Sequence, residues 1–243
     1  MELTSKMKNH FLIWTLACMT LVSCSSVTMT GQNIKETRSH SGFDGVSLSI
    51  PADVILEKGN QESVVIEADK SVMEIIETEV KGKTLVIKNR NNYWRDLGQV
   101  RIYITATDLN SLTVTGSGNI TCDKELSTEY LTVNISGSGS VHLSSLSTTD
   151  ISTVITGSGN IYIAGADNEK CRLKTVITGS GSMKAEDIGV GFADINITGS
   201  GTARINVLND LETNITGSGS VYYKGNPIVN ATATGSGRTR SIN

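Results

Sequence analysis

The chain has 243 residues with a formal net charge of −3; 24 of them are glycine, 2 are proline and 5% are aromatic. This mild acidity argues against a nucleic-acid-binding surface, which needs a basic face, so no nucleic-acid partner is expected. The abundance of glycine and β-branched residues fits neither a helical bundle nor a disordered tail and predicts an all-β protein.

The first segment is predicted to be a lipoprotein signal peptide, residues 1–23. Two lysines precede an apolar run, Phe11–Val22, which is too short to span a bilayer stably. The run leads into Leu21–Cys24, which resembles the lipobox of bacterial lipoproteins, whose cysteine is acylated once the preceding peptide is removed. We therefore expect lipidation of Cys24, followed by a polar tether, residues 24–39. The alternative is an ordinary cleaved signal peptide with a chance cysteine.

The residues after this cysteine bear on location. Ser25 and Ser26 follow it, and the first acid is Glu36. This order resembles outer-membrane sorting more than inner-membrane retention. The sequence thus predicts an outer-membrane lipoprotein of the cell envelope and leaves open whether it faces the surface or the periplasm.

Residues 40–112 keep a strand rhythm without a repeated corner. We interpret them as less regular coils with longer, charged connections, or alternatively as a small β cap of separate topology. The run Val72–Glu77 favours a short helical turn, and Asn89–Leu97 is predicted to be a loop. The apolar strand segments are Val46–Ile50, Val54–Leu56, Val64–Ile66, Leu85–Ile87 and Val100–Ile104.

A repeat organises residues 113–241, where Gly-Ser-Gly occurs seven times at spacings of 21, 20, 22, 20, 18 and 18 residues. Apolar residues recur at period two on both sides of each copy, which predicts a strand, a tight corner and a second strand with one face inward. The corner glycines are Gly116 and Gly118, Gly137 and Gly139, Gly157 and Gly159, Gly179 and Gly181, Gly199 and Gly201, Gly217 and Gly219, and Gly235 and Gly237.

One corner per period of about 20 residues favours stacked coils over a meander of hairpins, whose turns would alternate ends. We therefore predict a single-stranded parallel β-helix, a solenoid spanning residues 40–243, with like residues in ladders about 4.8 Å apart. Glycine suits the corner because it adopts positive φ and lets backbones approach closely. The serine between the glycines is expected to hydrogen-bond to the next rung.

The fifth residue after each first glycine should point outward, because the fourth and sixth point inward. Aromatic and cationic side chains in this column are suited to stacking on sugar rings or pairing with acidic glycans. The alternative is a solvated strand face without a ligand. This column, which we call the outer ladder, consists of Thr121, His142, Tyr162, Lys184, Arg204, Tyr222 and Arg240.

We find no catalytic or cofactor motif in the sequence and predict no metal site. His40 and His142 have no cysteine or carboxylate at metal-ligand spacing, and the glycine turns lack the aspartates of calcium-binding repeats. The acids that a polysaccharide lyase would cluster on one face are expected to scatter around the coil instead. These acids are Asp150, Asp187, Asp194 and Asp210.

The thiols of Cys122 and Cys171 lie two coils apart. Stacking separates them by about 9.6 Å along the axis, beyond the roughly 7 Å limit between Cα atoms that a disulfide can bridge. We predict two free thiols, with Cys122 pointing inward.

The order of Phe43–Ile50, Gly82–Lys88, Val100–Ile104 and Leu112–Val114, followed by serial Gly-Ser-Gly corners, is similar to the bacterial family of putative auto-transporter adhesins with a head GIN domain. The resemblance implies a β-helical fold on secreted or lipid-anchored chains, common in Bacteroidetes. It brings no catalytic residues.

These observations favour a non-enzymatic binding or adhesive protein of the envelope, with a glycan or an envelope protein as its ligand. The alternative is a periplasmic scaffold that self-associates or docks an envelope partner. Small residues such as Ala233 and Ser241 in the last coil suggest a poorly filled end, which leaves a homo-oligomer open.

Overall fold

The computed structural model describes residues 29–90 and 97–243, so the predicted signal peptide, Cys24 and most of the predicted loop Asn89–Leu97 lie outside the described residues. The N-terminal elements are β1 (Asn33–Arg38), β2 (Gly45–Leu48), β3 (Asp53–Lys58), β4 (Ser63–Asp69), α1 (Lys70–Met73), β5 (Ile76–Lys81), β6 (Thr84–Asn89) and β7 (Arg101–Ala106). The repeat contains β8 (Ser111–Gly116), β9 (Asn119–Cys122), β10 (Leu126–Ser127), β11 (Tyr130–Gly137), β12 (Ser140–Ser147), β13 (Asp150–Gly157), β14 (Asn160–Gly165), β15 (Asn168–Gly179), β16 (Ser182–Gly199), β17 (Thr202–Gly217), β18 (Ser220–Lys224), β19 (Ile228–Gly235) and β20 (Arg238–Ser241).

The repeat forms a parallel β-solenoid of about 20 residues per turn, which confirms the predicted fold. Strands that precede the corners pair in register, so that Gly116, Gly137, Gly157 and Gly179 lie in one line that continues to the last corner. We call the sheet of these strands the pre-corner face. Strands that follow the corners stack in the same way and form the post-corner face.

The corners require glycine because successive backbones touch there. Gly157 has a φ of +117°, and a methyl group on it would lie 2.5 Å from the carbonyl oxygen of Gly137 in the preceding coil. We expected the serine side chain to bond the next rung, but the serine bonds the rungs through its backbone. The Ser158 N–H donates to the Gly137 oxygen at 2.9 Å. At six of the seven corners any residue with a side chain at the first glycine would push the coils apart, whereas a carbon added to Gly116 has nothing within 4 Å.

The core is a column of aliphatic side chains between the two faces. Ile155, Ile161 and Ile205 are 1% exposed or less, as are most of their counterparts in other coils. The last coil differs, since Val229 is 37% exposed and every residue of β19 is exposed. This end of the solenoid is therefore poorly filled, as the small residues there predicted.

Three threonines of the repeat are 1% exposed or less, and two of them pair with each other in the core. Thr153 and Thr175 are 1% and 0% exposed, and their hydroxyl oxygens lie 2.9 Å apart in a hydrogen bond. Because each hydroxyl is the other's partner, neither polar group is buried without a bond.

The N-terminal region combines both arrangements that the sequence left open. The strands β2 and β3 are parallel rungs of the same solenoid. However, β2 lies between β6 and β8, and β3 lies between β7 and β9. Coil order therefore departs from chain order here. Beyond this first coil, β4 pairs antiparallel with β7, and β5 pairs antiparallel with β6, so Val64–Ile66 is a cap strand and not a coil rung.

The cap corrects the boundary of the predicted tether. Residues 33–38, expected to be part of it, form β1, which pairs antiparallel with β4 from Asn33 to Arg38. The carboxylate of Asp69 ends β4 and caps α1, because it accepts from the Ser71 N–H at 2.9 Å and the Gly31 N–H at 2.8 Å. The helical turn thus begins slightly earlier than the predicted run Val72–Glu77.

Candidate binding surface

The outer ladder forms on the post-corner face as its spacing predicted. His142 is the rung partner of Thr121 and Tyr162, Lys184 lies between Tyr162 and Arg204, and Tyr222 and Arg240 follow in register. None of the seven side chains is buried, whereas the residues on either side of each rung are buried from Thr121 to Arg204. In the last two coils Tyr223 and Thr239 are half-buried and Ser241 is exposed. The repeat therefore brings all seven predicted residues into one line that faces solvent.

The aromatic rings of the ladder stack on their neighbours. The ring centroids of His142 and Tyr162 are 4.3 Å apart with an interplanar angle of 17°, and the Arg204 guanidinium lies 4.9 Å from the centroid of Tyr222. Since neighbouring rungs lie about 4.8 Å apart, rings in this orientation turn their edges outward. This differs from the expected stacking on sugar rings, because the faces needed for it are turned toward adjacent rungs.

Acidic residues beside the ladder bond two of its side chains, those of Tyr162 and Arg204. The Tyr162 hydroxyl donates to Asp187 at 3.0 Å, and this hydrogen bond raises the pKa of Tyr162. Arg204 forms an ion pair of 3.6 Å with Glu186. By contrast, the exposed cations of Lys184 and Arg240 form no ion pair within the described residues. These two cations are the ladder groups most available to an anion.

A depression of about 340 Å³ lies against the ladder. Its floor carries small polar side chains two residues before the ladder positions, namely Ser140, Asn160 and Ser182, next to Tyr162 and Lys184. Hydroxyl and amide groups at this spacing supply both donors and acceptors beside a cation. The depression can therefore hydrogen-bond a polar ligand that Lys184 attracts.

The ladder continues into the N-terminal region, which the sequence analysis missed. Ile55 is the rung partner of Thr121, and Tyr103 is the partner of Ile55. The Tyr103 hydroxyl donates to Glu67 at 3.1 Å, and the ammonium of Lys35 lies 5.2 Å from the ring centroid. These residues could not be counted from a corner because the N-terminal coils have no Gly-Ser-Gly.

The expectation that four acids scatter around the coil is wrong. Asp150 and Asp210 occupy the same position seven residues before a corner, and Asp194 lies in the adjacent outward column. All three line one depression on the pre-corner face. Only Asp187 lies elsewhere, since it accepts from Tyr162 on the post-corner face.

The two cysteines of the repeat are free and buried. The Cys122 side chain points inward as predicted. Burial raises the pKa of the Cys122 thiol and raises the pKa of Cys171 to about 11. Both groups are therefore protonated at neutral pH and poor nucleophiles.

Within residues 29–90 and 97–243, no group of three histidine, cysteine or acidic side chains is arranged to hold a metal ion. The described part of the chain also has no helix that is long and apolar enough to cross a membrane.

A family model matches residues 42–227, from the first coil through nearly all of the repeat. Its description is "Putative auto-transporter adhesin, head GIN domain". The chain belongs to this family. The match covers the strands of both faces and six of the seven corners, so the resemblance inferred from the sequence is confirmed for this head GIN protein. No curated protein matches the chain.

Solved structures share the fold. A putative adhesin from Bacteroides fragilis is 19% identical, with a TM-score of 0.80 over 88% of this chain and 99% of that one. A "putative lipid binding protein" from Parabacteroides distasonis is 22% identical, with a TM-score of 0.72 over 88% and 98%. A putative adhesin from Parabacteroides merdae is 18% identical, with a TM-score of 0.70 over 88% and 98%. At these identities the likeness establishes the solenoid fold.

Proposed function

We propose that this head GIN protein is a non-enzymatic binding protein of the cell envelope that recognises an acidic glycan through the outer ladder. One observation carries the proposal: seven outward side chains from seven coils stand in a single register, with the cations of Lys184 and Arg240 unpaired within the described residues. Lipidation at Cys24 would hold the solenoid at the membrane as an outer-membrane lipoprotein. Family and neighbours named as adhesins support a binding role.

The geometry favours charge pairing over ring stacking as the mode of recognition. The ladder turns ring edges and cations outward, and carboxylate or sulfate groups are the partners that guanidinium and ammonium groups bind most strongly. The polar floor beside Lys184 would then bond the sugar hydroxyls. An acidic polysaccharide lying along the solenoid axis would meet a cation on three of the last four rungs, which are Lys184, Arg204 and Arg240 around Tyr222.

The test is a glycan-array screen of the purified protein, with hits measured by titration. We expect sulfated or uronic glycans to bind, and the Lys184→Ala/Arg240→Ala variant to bind them about tenfold more weakly. The Tyr162→Ala/Tyr222→Ala variant should lose less, because its rings support the cations without offering their faces. Binding should weaken as salt rises from about 50 to 300 mM, since exposed charges are screened.

Lys174→Ala is the matched control, because it removes an exposed lysine from the pre-corner face. Equal losses in both cation variants would contradict the ladder as the site. Binding of envelope proteins in place of glycans would change the ligand class while keeping the site.

Absence of any binding would favour the alternative, an envelope scaffold. The exposed strand β19 supports that alternative, since an unpaired strand edge can pair with another chain. Self-association in sedimentation experiments is the corresponding observation.

A further inference from the structure

The pre-corner face carries a groove of about 700 Å³ that the ladder does not use. It follows two outward columns, seven and five residues before the corners. The first column runs from Tyr130 through Asp150 and Arg172 to Phe192, Asp210 and Ile228. Six rungs at about 4.8 Å make a groove about 24 Å long.

Apolar surface is exposed along this groove. Tyr130 is 51% exposed at one end and Ile228 is 76% exposed at the other. Phe192 lies between them with the Arg172 guanidinium 4.6 Å from its ring centroid. Tyr130, unlike the tyrosines of the ladder, leaves about half of its surface free for an apolar ligand face.

Charges in the groove have the opposite balance from the ladder. Four carboxylates line it against the two cations of Arg172 and Lys174, and none of the six forms an ion pair within the described residues. The net negative charge opposes an acidic ligand and favours a cationic one. The four acids are Asp150, Asp194, Asp210 and Glu212.

The inner strands of the groove have no backbone groups to offer. Each is hydrogen-bonded to a neighbour on both sides, for example β13 to β11 and β15, so an extended peptide cannot add to the sheet between them. Among the described strands β19 pairs with β17 alone, so a free edge exists at the Ile228 end of the groove. Recognition there must come from carboxylates, an amide, hydroxyls and apolar side chains. Such a set suits a chain of hydroxyl groups with apolar ring faces between them and positive groups at intervals.

We infer that this groove is a second binding site, for an oligosaccharide with free amino groups. The sugar faces lie on Tyr130 and near Phe192, and the ammonium groups pair with Asp210 and Glu212. This inference goes beyond the proposed function, since it uses the other face and a ligand of opposite charge.

The probe is a hexamer of glucosamine, compared by calorimetry with its fully N-acetylated form, a sulfated hexasaccharide and a lysine-rich hexapeptide. The purified full chain should bind the glucosamine hexamer about tenfold more tightly than the acetylated form. Any binding of the sulfated hexasaccharide belongs to the ladder and should be the same in a variant that has lost the groove acids. The Asp210→Asn/Glu212→Gln variant, which keeps size and hydrogen bonding, should bind the glucosamine hexamer about tenfold more weakly.

Tyr130→Ala should weaken both the glucosamine and the acetylated hexamer, because it removes an apolar contact common to them. Tyr162→Ala on the ladder is the matched control and should leave glucosamine binding unchanged. Circular dichroism of each variant checks that the fold is retained.

Several results would overturn the inference: equal affinity for the two hexamers, no loss in the Asp210→Asn/Glu212→Gln variant, or tighter binding of the peptide than of the sugar. Loss of glucosamine binding in Tyr162→Ala alone would move that ligand to the ladder. If the ladder fails to bind acidic glycans, the measurements on glucosamine binding in the groove are unaffected, so the two sites are tested separately.

Discussion

The repeat and the N-terminal region build the same cross-section in two ways. In the repeat, the Ser140 hydroxyl donates to Asn119, 21 residues earlier, because each coil lies on the previous one. In the N-terminal region, Asn119 donates to Asp53, 66 residues earlier, because the chain forms the cap and then the coil of β6 and β7 before it returns to β8 and β9. The repeat thus depends on identical corners between neighbouring coils, whereas the N-terminal region depends on distant pairing.

The largest expected effect is that of replacing a corner glycine of the repeat, compared with replacing a glycine of the N-terminal region. Gly157→Ala places a methyl group 2.5 Å from the Gly137 oxygen at a φ of +117°, so we expect a loss of about 3 kcal/mol or more in the free energy of unfolding. Gly82→Ala in the N-terminal region has a φ of +61° but nothing within 4 Å of the added carbon, and should cost about 1 kcal/mol. Urea unfolding of the wild type and the two alanine variants measures both losses.

Similar losses for the two alanine variants would contradict the explanation by backbone contact. Strain in φ alone would then account for the corner glycines, and the approach of the coils would not matter.

The sequence predicted the repeat region because its signal is local and is given seven times. The corner and the alternation of apolar residues determine which side chains point inward, and hence the register of the outer ladder. The coil order of the N-terminal region could not be predicted, since nothing in Thr84–Asn89 or Arg101–Ala106 indicates that these strands pair with Gly45–Leu48 and Asp53–Lys58 across a long connection.

The candidate sites were predictable in position but not in orientation. Counting from the corner placed His142 and Tyr162 in one column, but ring stacking depends on rotamers that the count does not include. The acids of the groove were missed because different positions in the period were taken to mean different faces of the coil. Asp150 and Asp210 share a position, and Asp194 differs from it by two residues, which keeps it on the same face.

A smaller effect is expected in the core, where the two regions differ in polarity. The column that contains Thr153 and Thr175 is apolar toward the N-terminus, where Val46 lies between Leu85 and Leu112. Thr153→Val leaves the Thr175 hydroxyl buried without its partner, so we expect a loss of about 1–2 kcal/mol. Replacing both threonines by valine should restore most of that loss. Thermal and urea unfolding measure the three variants.

Thr213→Val is the matched control for this core pair. The Thr213 hydroxyl bonds that of Thr239 at 2.8 Å, and Thr239 is only half-buried in the last coil, where water can replace the lost partner. We expect a smaller loss than in Thr153→Val. If the Thr153→Val/Thr175→Val variant is as unstable as Thr153→Val alone, packing and not hydrogen bonding sets the loss of stability.

The smallest expected effect is the response of the cap to acid. The pKa is lowered for several carboxyls of the N-terminal region, and for Asp69 hydrogen bonds from Ser71 are the largest cause, with Thr30 adding to them. The carboxyls concerned are Glu57, Glu67, Asp69 and Glu79. The N-terminal region should therefore lose stability in acid through these groups.

For Asp69 the folded pKa lies below its ordinary value of 3.8, so the charged form is the one that folding favours. Its contribution is complete above that value and is lost as pH falls further toward the folded pKa. We expect the stability of the wild type to decrease below about pH 4, and the decrease to be smaller in Asp69→Asn, which has no proton to take up. Ser71→Ala, which removes the hydroxyl donor at 2.6 Å and keeps the backbone one, should lie between them. Urea unfolding at pH 7, 4 and 3 measures the three slopes, and equal slopes would mean that the cap unfolds separately from the transition that is being observed.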